Sequence, residues 1–159
     1  MEKIASFQID HLRLKRGVYV SRLDRFGGTA VTTFDIRMKR PNVEPVMDQS
    51  VMHTLEHLCA TYLRSNGEWK DRIAYLGPMG CRTGLYLLVA GEWSSEDILP
   101  VLKECFAWVA GFEGEIPGAA AAECGNWRDH NPEMAAWEAN KYLKETLEVA
   151  TRENLRYPE

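Results

Sequence analysis

The sequence has neither a long hydrophobic run nor an excess of positive charge. Its longest uninterrupted apolar stretches, of which Leu85–Ala90 is one, are far too short to span a bilayer. Residues 1–7 contain no apolar core of the kind found in secretion signals. The net charge is −4 at pH 7, so neither nucleic acid nor an anionic membrane is expected as the main partner. Together these features predict a cytoplasmic protein.

The chain has only four cysteines, and no two of them form a C-x-x-C pair. Without a secretion signal, such scattered cysteines indicate reduced thiols rather than a disulfide framework. Cys59 and Cys105 lie among apolar residues in predicted helices, which indicates small buried side chains. Cys81 and Cys124 lie instead in glycine-rich or polar loops, where a sulfur atom can reach a distant site.

The order of elements predicts an α+β fold in one domain spanning residues 1–159. β-Branched and aromatic residues favour strands at 18–20, 29–38, 73–76 and 85–92. Apolar periodicity and capping residues favour helices at 49–66, 96–110 and 132 to about 154. Because the connections are short, we expect a small antiparallel sheet packed by helices on one side.

The most informative motif is His53-Thr54-Leu55-Glu56-His57, inside the predicted helix 49–66. At about 100° per residue, the two histidines lie about 40° apart around the helix, and Glu56 projects to the same side. Two imidazoles at this spacing can bind one metal ion, and the carboxylate between them can act on whatever the metal binds. Apolar residues occupy the opposite side of the helix, as in an ordinary core-facing stripe.

The motif alone leaves several interpretations open. The two histidines could belong to an ordinary solvent-exposed helix face. H-x-x-E-H is also the inverted zincin signature, in which Glu56 would activate a metal-bound water for peptide hydrolysis. A domain that only binds a metal or a partner is a further alternative. A catalytic site needs a third ligand, and spacing does not decide which of Cys81 and Cys124 binds the metal and which takes part in the chemistry.

Four motifs in order along the chain resemble the S-ribosylhomocysteine lyase (LuxS) family. They are Phe34–Arg37, His53–His57, Gly77–Gly84 and Glu123–Asn126. The resemblance extends from Ser6-Phe7 to the last helix, nearly the whole chain. It implies the small α+β fold of that family, a homodimer, and active sites at the dimer interface. One departure is the segment Tyr75-Leu76-Gly77, because the family usually has Asp-Ile-Ser there.

The resemblance also implies roles at the metal. The ligands would be His53, His57 and Cys124, and the ion would be Fe2+ in the cell, with Zn2+ or Co2+ as alternatives. Glu56 and Cys81 would form the acid/base pair. A cysteine ligand with a second cysteine nearby argues against an inverted zincin peptidase, since those enzymes generally use a carboxylate as the third ligand.

The implied reaction cleaves the thioether of S-ribosylhomocysteine to homocysteine and 4,5-dihydroxy-2,3-pentanedione, the precursor of autoinducer-2. By the same resemblance, Arg64 would lie near the homocysteine end of the substrate. Ser6, His11 and Arg37 would come from the neighbouring subunit to bind its ribose end. The departure at Tyr75 concerns the amino-acid end, where the family usually has an aspartate.

Overall fold

Four strands form one antiparallel sheet in the computed structural model, which describes residues 2, 4 and 7–158. The strands are β1 (Gly17–Phe26), β2 (Thr29–Arg37), β3 (Ile73–Pro78) and β4 (Gly84–Ala90). Their order across the sheet is β1–β2–β4–β3, and every neighbouring pair is antiparallel. The predicted α+β fold with a small antiparallel sheet is therefore confirmed.

β1 and β2 form a hairpin whose turn contains Gly27, which has a φ of 60° that glycine adopts without strain. β1 is much longer than the predicted strand at 18–20. Its second half is mostly polar and exposed, so it lacks the alternating apolar pattern of a half-buried strand. Backbone pairing with β2, which continues past an irregularity between Val20 and Arg22, forms this part of the strand.

Three main helices are α1 (Gln49–Ser65), α2 (Ser95–Ala110) and α3 (Pro132–Tyr142). Each follows a side chain that caps its first turn, namely Asp48, Ser94 and Asn131. Alternate residues of β2 and β4 pack with the apolar sides of these helices in one core. Its members include Phe34, Ile36, Leu85, Leu87, Leu55, Leu58, Ile98, Leu102, Phe106, Ala135 and Ala139. None of the helices in the described part of the chain is long and apolar enough to cross a membrane.

The prediction of one long last helix reaching about residue 154 is wrong, because the helix is interrupted. α3 continues into a π-helical turn at Leu143–Leu147, where the N–H group of Glu148 donates to the carbonyl oxygen of Leu143 at 2.9 Å. The chain then leaves the helix and resumes as α4 (Arg152–Leu155). Thr151 has an extended backbone and forms a reciprocal cap with Asn154, which starts a new helix at that point.

The face of β2 opposite the core carries Asp35 and Arg37, which alternate with the core residues along the strand. Tyr157, in the segment after α4, packs on this face. Its ring stacks on Tyr19 at 4.8 Å, and its hydroxyl group donates to Oδ2 of Asp35 at 2.8 Å. This second face therefore buries a polar cluster at the end of β2.

Candidate active site

α1 presents His53 and His57 on one side, as their spacing predicts, with ring centroids 4.6 Å apart. His53 donates through Nδ1 to the carbonyl oxygen of Asp129 at 2.9 Å. His57 donates through Nδ1 to the carbonyl oxygen of Pro117 at 2.7 Å. A carbonyl oxygen can only accept a hydrogen bond, so each ring carries a proton on Nδ1. In the neutral imidazole, each Nε2 atom therefore keeps a lone pair that can bind a metal.

The loop 111–131 between α2 and α3 brings Cys124 to these histidines. The Sγ atom of Cys124 lies 3.4 Å from Nε2 of His53, and it accepts the N–H group of Asn126 at 3.4 Å. Gly118 in the same loop has a φ of 74°, and a Cβ atom there would lie 3.2 Å from Nδ1 of His57. Glycine at 118 lets the loop approach His57 this closely without crowding the ring and adopts the positive φ without strain.

His130, which sequence reasoning did not include, joins the same cluster. One donor atom each from His53, His57, Cys124 and His130 can be chosen so that all lie within 4.8 Å of one another. The His130 ring stacks on the ring of His53, with centroids 4.1 Å apart. One sequence signal pointed to it, since His130 is one of only four histidines in the chain and occupies the same loop as Cys124.

Thr54, on α1, fixes which ring nitrogen of His130 carries a proton. Its hydroxyl group donates to the carbonyl oxygen of Ser50 at 2.8 Å and accepts the N–H group of Asn131 at 2.9 Å. The contact with Nδ1 of His130 at 3.2 Å therefore places the proton on the histidine. Burial, and then the neighbouring imidazoles, lower the pKa of His130. Its Nε2 atom is buried and has no hydrogen-bond partner among the described residues.

A cavity of about 390 Å³ opens beside His57. Its lining includes Glu56, which is half-buried, and Arg64, which is exposed. The guanidinium of Arg64 also donates to the carbonyl oxygen of Ala74 at 2.9 Å, which ties the end of α1 to β3. The structure thus brings Glu56, His57 and Arg64 to one cavity.

Tyr75 lines the same cavity and is 50% exposed. A Cβ atom on Gly77 would lie only 2.0 Å from the Tyr75 hydroxyl oxygen, so the observed position of Tyr75 requires glycine at 77. Both residues belong to Tyr75-Leu76-Gly77, the segment for which the resemblance predicts a departure from the LuxS pattern. The position of the Tyr75 side chain and the glycine at 77 are therefore physically linked.

Cys81 lies in a second cluster with Arg37, and the side chain of Arg37 is almost fully buried. Nη1 of Arg37 is 3.8 Å from Sγ of Cys81 and 2.6 Å from Oγ1 of Thr83, whose hydroxyl is 3.1 Å from the same sulfur. Asp35 accepts Nε and Nη2 of Arg37 at 3.0 and 2.6 Å. Burial disfavours the charge on Arg37, but the ion pair with Asp35 outweighs it and raises the pKa of Arg37. The cation at this thiol is Arg37, rather than Arg82 next to it in sequence.

The remaining predicted residues lie elsewhere. His11 contacts the carbonyl oxygen of Ile9 through Nδ1 at 2.8 Å, and it belongs to neither of the two clusters described above nor to the lining of the cavity beside His57. Ser6 lies outside the described residues. Cys59 and Cys105 are buried in the core, as predicted, and burial raises the pKa of Cys105 well above its usual range.

Comparison with known proteins identifies the family. The family model described as S-ribosylhomocysteinase (LuxS) matches residues 4–153. An S-ribosylhomocysteine lyase from Porphyromonas gingivalis is 59% identical over 159 residues, which is 100% of both chains. Those from Phocaeicola vulgatus and Clostridium beijerinckii are 58% and 56% identical over 158 residues, covering 99% of this chain and 98% and 99% of theirs. The chain therefore belongs to the S-ribosylhomocysteinase (LuxS) family, as its motifs predict.

Proposed function

We propose that the chain is an S-ribosylhomocysteine lyase, which cleaves the thioether of its substrate to homocysteine and 4,5-dihydroxy-2,3-pentanedione. The observation that carries the proposal is the cluster of His53, His57 and Cys124 beside a cavity that Glu56 lines. Relatives that match this chain end to end carry the name of that enzyme, which supports it further. The dione is the precursor of autoinducer-2. We also propose a reducing, cytoplasmic setting, because all four cysteines are free thiols.

The metal-binding part of the proposal assigns three ligands, Nε2 of His53, Nε2 of His57 and the thiolate of Cys124. The donor chemistry fits, because both imidazoles have their lone pair on Nε2 and the sulfur lies beside one of them. Two imidazoles and one thiolate suit a divalent transition metal and leave a position for substrate oxygen. Family resemblance favours Fe2+, with Zn2+ or Co2+ as alternatives. A divalent ion bound there supplies Lewis acidity that polarises a carbonyl oxygen.

Proton transfer is the task of the protein side chains in this reaction. The carbonyl group must move from C1 to C3 of the ribose, and each move removes a proton from one carbon and returns it to the carbon next to it. β-Elimination then removes the C4 proton and breaks the C5–S bond, releasing the homocysteine thiolate. The carboxylate of Glu56, at the cavity beside His57, is proposed as one acid/base group for these transfers.

Cys81 is proposed as the second acid/base group. The Arg37 guanidinium and the Thr83 hydroxyl both face its sulfur, and a nearby cation and a hydrogen-bond donor stabilise a thiolate. Arg37 and Cys81 are in contact within one chain, so they serve the same active site. If a partner subunit in a homodimer contributes Arg37, as the family resemblance implies, it contributes Cys81 as well.

The substrate is proposed to lie with its homocysteine end toward Arg64 and Tyr75, which share the cavity with Glu56. The cationic guanidinium of Arg64 suits the carboxylate of an amino acid. The ribose end is proposed to contact Ser6, His11 and Arg37 across the dimer interface. His11 then needs a second subunit to reach a site, consistent with its position away from the described cluster.

The experiment follows free thiol while anaerobically Fe2+-loaded protein is incubated with S-ribosylhomocysteine. Thiol release that depends on the loaded metal supports the lyase. If fully loaded protein releases no thiol, the proposal fails. Hydrolysis of peptides by the same preparation would then favour the inverted zincin alternative.

A further inference from the structure

A line of contacts runs from Tyr157 to Cys81 across the sheet face opposite the core. The Tyr157 hydroxyl donates to Oδ2 of Asp35 at 2.8 Å, and Arg37 donates to both oxygens of the same carboxylate. The far side of the Arg37 guanidinium then faces Sγ of Cys81 at 3.8 Å. Tyr157 and Nη2 of Arg37 share one oxygen atom, Oδ2 of Asp35.

The middle of this line is shielded from solvent, whereas its end is open. Asp35 and Arg37 are only 1% and 2% exposed, but Cys81 is exposed. Charges in such a buried pair are poorly screened, so the field at the thiol depends on both the Arg37 cation and the Asp35 anion behind it. Any group that changes how Asp35 holds Arg37 also changes the environment of Cys81.

We propose that Asp35 and Tyr157 are positioning residues for Cys81, which set how strongly the Arg37 cation stabilises the Cys81 thiolate. The proposal rests on the proposed function in so far as Cys81 is an acid/base group of the lyase. Asp35 aims Nη1 of Arg37 at the sulfur by holding the other two nitrogens. The Tyr157 hydroxyl donates to Oδ2 of Asp35 and partly offsets the negative charge of this carboxylate. Asp35 therefore cancels less of the favourable field that the Arg37 cation exerts on the thiolate.

Other titratable groups around the cluster include Tyr19 and Tyr142, whose hydroxyls interact with the charges of Asp35 and Arg37. Tyr86 lies opposite Asp35 on β4, and Arg82 is next to Cys81 in the chain. Burial, and then the Asp35 charge, raise the pKa of both Tyr86 and Tyr157, so both hydroxyls stay neutral donors near neutral pH.

The two residues should shift the pKa of the Cys81 thiol in opposite directions. Tyr157→Phe keeps the ring stacked on Tyr19 but removes the hydroxyl dipole from Asp35. The Asp35 anion then cancels more of the field of the Arg37 cation at the thiolate, so the pKa of the thiol rises. Asp35→Asn removes the anion while Thr83 still holds Nη1 of Arg37, so the thiol pKa falls. General loss of structure would not produce shifts of opposite sign.

The test measures the alkylation rate of Cys81 by iodoacetamide over a series of pH values, in metal-loaded protein, with the Cys81 peptide quantified by mass spectrometry. Tyr86→Phe is the matched control, because it removes a hydroxyl from the same face without removing a hydrogen bond to Asp35. We expect Tyr157→Phe to raise the apparent thiol pKa by about 0.5 pH unit, Asp35→Asn to lower it, and Tyr86→Phe to leave it near that of the wild type.

The proposal is overturned if Tyr157→Phe titrates like the wild type, if Tyr86→Phe produces the same shift, or if Asp35→Asn shifts in the same direction as Tyr157→Phe. If Asp35→Asn does not fold, the comparison of Tyr157→Phe with Tyr86→Phe decides alone. Alkylation does not depend on substrate turnover. Failure of the lyase assay with the expected thiol shifts would therefore remove the proposed function and leave this arrangement in place.

Discussion

Nδ1 of His57 lies 2.7 Å from the carbonyl oxygen of Pro117, which belongs to the loop between α2 and α3. The same loop carries Cys124 and the Asp129 carbonyl group that accepts Nδ1 of His53. One loop therefore orients both imidazoles and supplies the thiol, so the donor cluster forms only when this loop packs against α1. Loss of such outer contacts is expected to lower metal affinity about 10- to 100-fold.

The two loop cysteines should fail in different ways when replaced. Cys124→Ala should lower the metal content of the purified protein, because it removes one of three proposed ligands. Cys81→Ala should keep the metal content of the wild type and lose turnover, because its sulfur lies with Arg37 rather than in the donor cluster. Metal analysis after dialysis checks both variants, and full metal retention in Cys124→Ala would contradict the assignment.

Gly118→Ala should weaken metal binding although it replaces none of the proposed ligands. The new Cβ atom would lie 3.2 Å from Nδ1 of His57 on a backbone with a φ of 74°, so the loop or the His57 ring must shift by a few tenths of an ångström. We expect a metal affinity about 10- to 100-fold lower, measured by competition with a chromophoric chelator. Gly125→Ala is the control, since a Cβ atom there meets nothing within 4 Å. Equal affinity in the two variants would refute the role given to the loop.

Gly77→Ala should act through Tyr75. Its Cβ atom would lie 2.0 Å from the Tyr75 hydroxyl oxygen, so the tyrosine must leave its place at the cavity. We expect KM for S-ribosylhomocysteine to rise about 5-fold, or about 1 kcal/mol, with little change in kcat. In a Tyr75→Ala background the same glycine change should add almost nothing. A full additional effect there would show that Gly77 acts independently of Tyr75.

Mixed dimers should separate the contributions of the two subunits. Glu56→Gln and Cys81→Ala are each expected to be inactive alone. If Cys81 enters the partner's site together with Arg37, a dimer of one chain of each variant contains one intact site. Refolding the two variants together should then restore part of the wild-type turnover, whereas each refolded alone should not. Absence of restored activity in verified mixed dimers would place Glu56 and Cys81 of one chain in the same site.

The local part of the site could be predicted from sequence because it depends on helix periodicity. The spacing of His53 and His57 requires only that α1 be a helix, and its capping residue and apolar side confirm that helix. The approach of Cys124 depends instead on the path of an irregular loop. Spacing alone therefore does not decide between Cys81 and Cys124. The family resemblance predicts Cys124 as the ligand, and the fold places its sulfur 3.4 Å from Nε2 of His53.

Features that depend on tertiary contacts were missed for the same reason. His130 has no helical spacing to His53, and it reaches the cluster through a hydrogen bond to Thr54. The second half of β1 forms through backbone pairing with β2, so the polarity of its side chains does not indicate a strand. The interruption after α3 depends on the backbone at Thr151, in a region whose residues otherwise favour a helix.

The central claim is tested most directly by the rate of free thiol release from S-ribosylhomocysteine, compared between metal-loaded wild type and Glu56→Gln of equal metal content. The account predicts one thiol released per substrate consumed by the wild type, and a rate about 100- to 10,000-fold lower in the variant. No thiol release by fully loaded wild-type protein, or equal rates in the two proteins, would contradict it.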